Sequence, residues 1–410
     1  MAHVQDRWFA AGPEGEREPT ERHGHGRRWL AAYSDSEGRR RTKGFDRRVD
    51  AERFVAQVVA DVVRGQYVDP ERGRRSFGSL AKEWLAAQTF NPSTREQLDI
   101  RLRNHILPTW ENIELRQIRP LGIQRWLLEL NGYLAPNTVK VVFTNFSTIL
   151  SAAVADDLIA RNPAASRTVT KPPQVRRQVV PWTIDQVRAV IDAHPERYSA
   201  LVAVGAGAGL RQGELLGLAV EDIDFDEGII RVGRQVKIVA SRLLFAPPKY
   251  RRPEDVPRIV PMSESLAVML ADHLRRFPPA PVALPWLDPT SSRVSSANLI
   301  FTSRERKAIN KNYLNAQVWK PALKSVGMPT ARSDGNGMHA LRHFCASNWL
   351  EHGVSIKAVA DYLGHRDEAF TLRTYTHFMP TADEKARGAS AAIFDERSHA
   401  SRASAWTGGR

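Results

Sequence analysis

One cysteine, Cys345, stands among 410 residues. A lone thiol excludes an internal disulfide and a cysteine-based zinc site, and it fits a reducing compartment. Its neighbours Phe344 and Ala346 are apolar, so packing is its expected role. No run of about 18 apolar residues is present, so no transmembrane helix is predicted. The first residues carry charges and glycines where a secretory leader needs an apolar core, so a cytoplasmic protein is expected. Negative charge is also scarce: 45 acidic residues face 59 lysines and arginines, a net charge of +14. That surplus favours a polyanionic partner, nucleic acid above all. The length predicts two or three domains.

Residues 1–25 lack periodicity and read as a flexible leader. Residues 26–66 read as a small sheet-plus-helix module. Trp29, Leu30 and Tyr33 form a strand-like run, and Asp35-Ser36-Glu37-Gly38 supplies a turn. Arg39, Arg40, Arg41, Lys43, Arg47 and Arg48, with Phe45 interleaved, make a basic ridge that repels itself without a polyanion. Ala51, Phe54, Val55, Val58, Val59 and Val62 recur at helical spacing, and Gly65 can stop that helix. Such a ridge can lie in a DNA groove; the alternative is a solvated charged hairpin.

Residues 76–165 read as all-helical. Phe77, Leu80, Trp84 and Leu85 start one helix, and Ser93 with Glu96 has the pattern of a capping box. Val139, Val142, Phe143, Phe146, Ile149, Leu150, Ala153 and Val154 trace a buried helix face. Residues 166–181 are basic and proline-containing, an interdomain linker in which Lys171, Arg176 and Arg177 can follow a phosphate backbone or simply aid solubility. Residues 182–390 form the largest unit. Thr183 with Gln186 caps a helix there, and helical runs flank strands at Ile229–Val232, Leu243–Phe245 and Arg258–Val260. Residues 391–410 read as a flexible tail.

Four segments carry candidate chemistry. Arg211 follows a run of small residues, Gly205 to Gly209, that lets backbones approach closely. A buried arginine there needs an anion, either a phosphate or the nearby carboxylate of Glu214. His339 and Arg342 are three apart and share a helix face, with His343 on the same side as His339. The histidine pair could bind a metal, but no HExxH glutamate and no cysteine ligand accompany it. Leu363-Gly364-His365 comes next, and Tyr375 follows ten residues after His365. Asp222-x-Asp224-x-Asp226 has the look of a calcium loop, but Gly233 occupies its twelfth position, so an acidic turn is expected instead.

Taken together and in this order, Arg211, His339-x-x-Arg342, Leu363-Gly364-His365 and Tyr375 resemble the tyrosine recombinase (phage integrase) family, by layout over residues 76–390. The resemblance implies a lysine on a β-hairpin between the two arginines. Lys249 in Pro247-Pro248-Lys249 matches best, on a hairpin longer than usual, and Lys237 is the second candidate. It implies that Arg211 and Arg342 clamp a phosphate, that Tyr375 forms a 3′-phosphotyrosine, and that the lysine protonates the leaving 5′-oxygen. His339 would assist proton transfer with Tyr375, and His365 would bond the phosphate or support the site. No cofactor and no metal are implied.

The fold class implied is multidomain α+β. A small β-sheet-plus-helix module (26–66) would bind arm-type DNA, as in integrases similar to lambda integrase. An all-helical, SAM-like core-binding domain (76–165) and a mainly helical catalytic domain with a small antiparallel sheet (182–390) would grip the crossover site. Attachment-site DNA would be the substrate, of a phage or mobile element and a bacterial chromosome. A homotetramer would form the synaptic complex at the nucleoid, with an excisionase and a host DNA-bending protein as partners. Two alternatives compete: a type IB topoisomerase-like nicking-closing enzyme and a non-catalytic DNA-binding repressor.

Overall fold

The computed structural model describes residues 2–11, 16–34, 38–63, 67, 69, 71–174, 180–249, 255–288, 291–331, 334–365, 368–375, 387, 390 and 391. They fall into two units, Met1–Arg176 and Arg177–Arg410. The turn expected at Asp35–Gly38 lies outside the described residues except for Gly38. Gly65, Arg176 and Arg177 lie outside them as well, as does the tail beyond residue 391.

The first unit begins with β1 (His3–Asp6), β2 (Phe9–Ala11), β3 (Arg17–Pro19), β4 (Trp29–Ser34) and β5 (Arg40–Phe45). β1, β4 and β5 make an antiparallel sheet in the order β1-β4-β5, and β2 pairs with β3 as a separate hairpin. Helix α1 (Arg48–Val63) packs on the sheet, with Phe54 against Tyr33 and Phe45 at ring-centroid distances of 5.6 and 5.3 Å. The leader expected over residues 1–25 therefore contains three strands. They are too short and too polar to leave a periodic signal, and polar bonds hold them. The Asp6 carboxylate accepts from the backbone N–H of Trp8 and is gripped by the Arg28 guanidinium, across the register that pairs Asp6 with Trp29.

The rest of this unit is helical: α2 (Phe77–Ala87), α3 (Pro92–Arg101), α4 (Leu107–Trp110), α5 (Pro120–Asn131) and α6 (Pro136–Ala155). Pro92, Pro120 and Pro136 each occupy the first helical position, where a missing N–H costs nothing. The cap of α3 is Asn91, whose side chain accepts from Thr94 N, and not Ser93. Proline at the first position leaves the residue before it as the cap. Phe146 is the centre of the core, with Phe77, Trp110 and Trp126 at ring distances of 5.0, 5.1 and 4.9 Å. Each buried side chain of this size contributes roughly 1.5–3 kcal/mol. α6 is long and apolar enough to cross a membrane by composition, but the predicted stripe from Val139 to Ala153 is buried in this core. The stretch expected to be a linker begins inside the same core. Val169 is buried, and Thr170 N donates to Gln124 Oε1 at 2.8 Å.

The second unit starts with α7 (Ile184–Ala193), opened by the expected Thr183–Gln186 capping box. α8 (Glu196–Ala208) is buried on nearly every side, which makes it the central helix. It leads to α9 (Gln212–Leu216), then β6 (Ile223–Asp224), β7 (Ile229–Val232), β8 (Gln235–Val239), β9 (Arg242–Ala246) and β10 (Arg258–Pro261). β10, β7 and β6 form one antiparallel sheet, and β8 and β9 form a separate hairpin. The three predicted strands are β7, β9 and β10; β8 was hidden by Gln235 and Lys237 in its alternation. Asp224 in the acidic turn accepts from Arg231 at 2.8 Å, as an acidic turn before a strand would. α10 (Glu264–Arg276), β11 (Ala280–Pro285), β12 (Val294–Leu299), α11 (Lys311–Leu314) and α12 (Lys320–Ser325) follow. α13 (His339–Glu351), α14 (Ile356–Leu363) and α15 (Glu368–Tyr375) complete the unit, with α13 packed on α8.

Candidate active site

α8 ends at Gly209, whose φ of +63° is the left-handed turn that glycine adopts freely. A Cβ there would lie 2.6 Å from Leu363 and 3.2 Å from Cys345, so glycine is also required by space. The turn aims the Gly209 carbonyl at Arg342, which donates to it at 2.9 Å. Two residues later Arg211 occupies the N-cap position of α9. Its backbone N–H and its guanidinium both donate to the carboxylate of Glu214, at 2.9 and 3.0 Å.

Glu214 is almost wholly buried and takes a second arginine, Arg258 of β10, through both oxygens at 3.0 and 2.6 Å. Burial alone would raise this carboxyl, but Arg258 and Arg211 outweigh it and hold the group down at about 2. The sequence named Glu214 only as a rival partner for Arg211, and Arg258 only as part of a strand. The usable signal was the inward position of an arginine in the alternation of β10, where residues 258 and 260 are buried and Ile259 is exposed.

Three consecutive carbonyls at the end of α14 each receive one of the arginines. Tyr362 O accepts from Arg258 at 2.9 Å, Leu363 O from Arg342 at 2.5 Å, and Gly364 O from Arg211 at 3.1 Å. Gly364, at φ +62°, ends the helix in the left-handed conformation. The helix C-terminus carries partial negative charge, which suits cations. Leu363-Gly364-His365 is thus the anchor of the guanidinium cluster as well as the carrier of a histidine. Arg342 is 1% exposed. Burial, then the neighbouring charge of Arg211, pushes its guanidinium down to about 9, still protonated at pH 7. Arg211 and Arg258 share one carboxylate and Arg342 donates to carbonyl oxygens, so the three guanidiniums carry an excess of positive charge. A cluster of that kind lowers its energy by taking an anion with oxygens that suit planar forks.

Histidines stand close to the same cluster. His365 Nδ1 lies 2.6 Å from the hydroxyl of Thr371, a fully buried residue one turn before Tyr375 on α15. Burial first, then Arg342 and Arg211, lowers the pKa of His365 to about 3, so its imidazole is neutral. His339 sits at the start of α13, exposed, with its ring 4.7 Å from that of His343 and nearly perpendicular to it. Partial desolvation, then His343, Arg342 and Arg211, lowers the His339 pKa as well.

Tyr375 ends α15 in a small apolar cluster with Ala346, Leu350, Val359 and Leu363, and is 1% exposed. Its hydroxyl is 2.6 Å from Nδ1 of His343, a contact that sequence reasoning missed because it weighed the His339–His343 pair only as a metal ligand. Burial raises the phenol to about 12, while the Arg342 charge pulls the other way. Cys345 is buried beside this cluster, and burial pushes its thiol well above the usual range. That makes it a packing residue rather than a nucleophile.

The candidate lysines lie on and just after the β8–β9 hairpin, whose strand β8 packs on α9. Lys237 is half-buried on β8, which packs so closely on α9 that a Cβ on Gly213 would lie 2.9 Å from Val236 O. Lys249 is exposed just after β9. Burial, then the charges of Lys249 and Lys311, lowers the Lys237 amine. Both candidates therefore share one electrostatic neighbourhood.

The basic residues of the first unit separate by face. Arg41 pairs with Asp69 at 2.6 Å, and Lys43 lies 4.4 Å over the Phe54 ring on the α1 side. Arg40, on the alternate pleat, is exposed on the opposite face. Arg48 pairs with Glu52 at 2.8 Å, while Arg39, Arg47 and Lys171 are exposed.

Comparison with known proteins agrees with this geometry. Residues 182–381 match the Phage integrase family, and residues 76–131 match the phage integrase N-terminal SAM-like domain. A tyrosine recombinase XerC-like protein of Caldanaerobacter subterraneus subsp. tengcongensis is 27% identical, over 74% of this chain and 80% of that protein. The Tn1549 transposon integrase in complex with a circular intermediate DNA superposes with a TM-score of 0.62 at 18% identity, covering 78% of this chain and 99% of that one. A lambda integrase dimer bound to a COC′ core site gives 0.54 at 15% identity, covering 84% and 91%. The matched integrase regions together span well over half of the sequence, and the chain belongs to the phage integrase family of tyrosine recombinases.

Proposed function

We propose that this chain carries out site-specific recombination with Tyr375 as nucleophile, integrating and excising a phage or mobile element. The observation that carries the reading is the arginine cluster: Arg211 and Arg258 share the buried Glu214 carboxylate, Arg211, Arg258 and Arg342 meet the three consecutive carbonyls of residues 362–364, and the Arg342 charge acts on Tyr375. Arg211 and Arg342 hold the non-bridging oxygens of a scissile phosphate and stabilise the charge that gathers there. The Tyr375 oxygen attacks phosphorus, the bond to the 5′-oxygen breaks, and a 3′-phosphotyrosine forms. Lys249, or Lys237 as second candidate, gives the 5′-oxygen its proton. Attack of a 5′-hydroxyl on the phosphotyrosine reverses these steps and rejoins a strand, with the ester preserved throughout.

In the same proposal, residues 26–66 bind arm-type DNA, residues 76–165 bind the core site, and residues 182–390 hold the catalytic groups. The protomers assemble as a tetramer on paired attachment sites at a bacterial nucleoid, with an excisionase and a host DNA-bending protein assisting.

The test is covalent trapping on nicked duplexes made from the DNA flanking the gene. The wild-type chain gives an SDS-resistant protein–DNA adduct, and Tyr375→Phe binds the same DNA without one. An adduct that persists in Tyr375→Phe, or a wild type that gives none on any flanking segment, overturns the reading.

A further inference from the structure

We propose that His343 is a catalytic residue of strand cleavage, holding the Tyr375 hydroxyl and taking up its proton as the tyrosine oxygen attacks phosphorus. The inference rests on Tyr375 being the nucleophile and adds which group handles its proton. His339, at the His-x-x-Arg position, is the residue to which the family resemblance gives that task. The geometry gives it to His343. Among the described residues, the hydroxyl of Tyr375 has one hydrogen-bond partner, His343 Nδ1, at 2.6 Å. His339 lies one helical turn back, with its ring packed edge-on against that of His343.

The protonation states of the pair are set by its surroundings. Burial, then the Arg342 charge, lowers the His343 pKa to about 4, so the ring is neutral near pH 7. The phenol keeps its proton, since burial raises it to about 12. In this proposal the hydroxyl donates and Nδ1 accepts, with the ring's own hydrogen on Nε2. With Tyr375 only 1% exposed, water does not compete for the hydroxyl.

In the cleavage step the Oη–P bond forms as the P–O5′ bond breaks. The phenolic proton passes to Nδ1, and the lysine protonates O5′. The imidazolium so formed lies beside a bound phosphodiester, whose negative charge offsets it. On rejoining, Nδ1–H returns the proton to Oη as the phosphotyrosine bond breaks.

The experiment compares single-turnover adduct formation on the trapping duplex by wild type and His343→Gln, each with tyrosine or 3,5-difluorotyrosine at position 375. Glutamine can bond the hydroxyl but cannot take its proton. The expected result is a slowing of about 100-fold or more in His343→Gln, with DNA affinity within about twofold, as loss of a general base predicts. The fluorinated phenol gives up its proton more readily, so it shrinks that defect by at least about tenfold, which a purely structural role would leave unchanged. A wild-type rate in His343→Gln, or a defect indifferent to fluorination, overturns the role of His343 while leaving the Tyr375 reading intact. A wild type without a Tyr375-dependent adduct overturns both. Spectra of ¹⁵N-histidine-labelled wild type and Tyr375→Phe decide the matter if His343→Gln does not fold. His343 Nδ1 should be an unprotonated acceptor whose resonance moves when the hydroxyl is removed, and a protonated Nδ1 overturns the proposal.

Discussion

Arg258 of β10 grips Glu214 with both terminal nitrogens, at 3.0 and 2.6 Å, although the two are 44 residues apart in sequence. Arg211 shares the same carboxylate, so this one buried charge ties a strand to the start of α9. Removing one partner of a buried ion pair leaves the other uncompensated, at a cost of roughly 3–5 kcal/mol. Glu214→Gln should lower unfolding stability by that order in urea titration and misplace Arg211, reducing adduct formation with it. The dependence on pH gives a sharper signature. The folded pKa, about 2, is below the ordinary carboxyl value of 4.5, so the stabilisation is complete above pH 4.5 and disappears as pH falls through 2. The shift corresponds to about 3 kcal/mol. The wild type should therefore lose stability between pH 4.5 and 2 more steeply than Glu214→Gln. Parallel curves would show that Glu214 does not carry the charge assigned to it.

Gly209 tests the clamp from the backbone side. Its left-handed φ costs an L-residue about 1–2 kcal/mol, and a Cβ would press on Leu363, whose carbonyl holds Arg342. Gly209→Ala should cost roughly 2–4 kcal/mol when strain and overpacking are combined. It should also slow cleavage in the fraction that folds, because both carbonyls that orient Arg342 shift. Unchanged stability by thermal unfolding would mean that the turn relaxes freely.

The basic ridge of the first unit should divide in the same way as its contacts. Arg40, Arg47 and Lys43 are all exposed, but Lys43 lies over the Phe54 ring. Arg40→Ala and Arg47→Ala should each reduce the salt dependence of arm-DNA binding by about one in log–log slope, as loss of a phosphate contact does. Lys43→Ala should instead lower stability by about 0.5–1 kcal/mol with little change in slope. Titration of binding between low and moderate salt separates the two classes, and equal slopes for all three variants would remove the face assignment.

Much of this architecture was legible because its signals are local. The α6 stripe, the Thr183–Gln186 cap and the order of Arg211, His339, Arg342, His365 and Tyr375 all follow from spacing along one segment. What escaped was non-local or too short to be periodic. Glu214–Arg258 and His343–Tyr375 are pairs joined only by packing, and no pattern within either segment announces its partner. β1 to β3 run to three or four residues each, below the length at which alternation stands out. β8, which carries Lys237, escaped because it alternates around polar residues and gives no apolar run.

The general acid is the assignment that Lys237 and Lys249 contest, and chemistry can separate them. Lys237 is half-buried on a strand fixed against α9, and burial lowers its amine toward the range in which an ammonium gives up a proton readily. Lys249 matches the family position and is exposed beside the same charges. A 5′-bridging phosphorothiolate has a leaving group that needs no proton, so it rescues only the variant that has lost the acid. Lys249→Ala should bind DNA normally, cleave an ordinary phosphodiester about 100-fold or more slowly, and recover on the phosphorothiolate. Lys237→Ala should then show a smaller, unrescued defect, because its charge acts on Lys249 rather than on the leaving oxygen. The reverse outcome, rescue of Lys237→Ala alone, would move the proton donor from the family position to the buried strand.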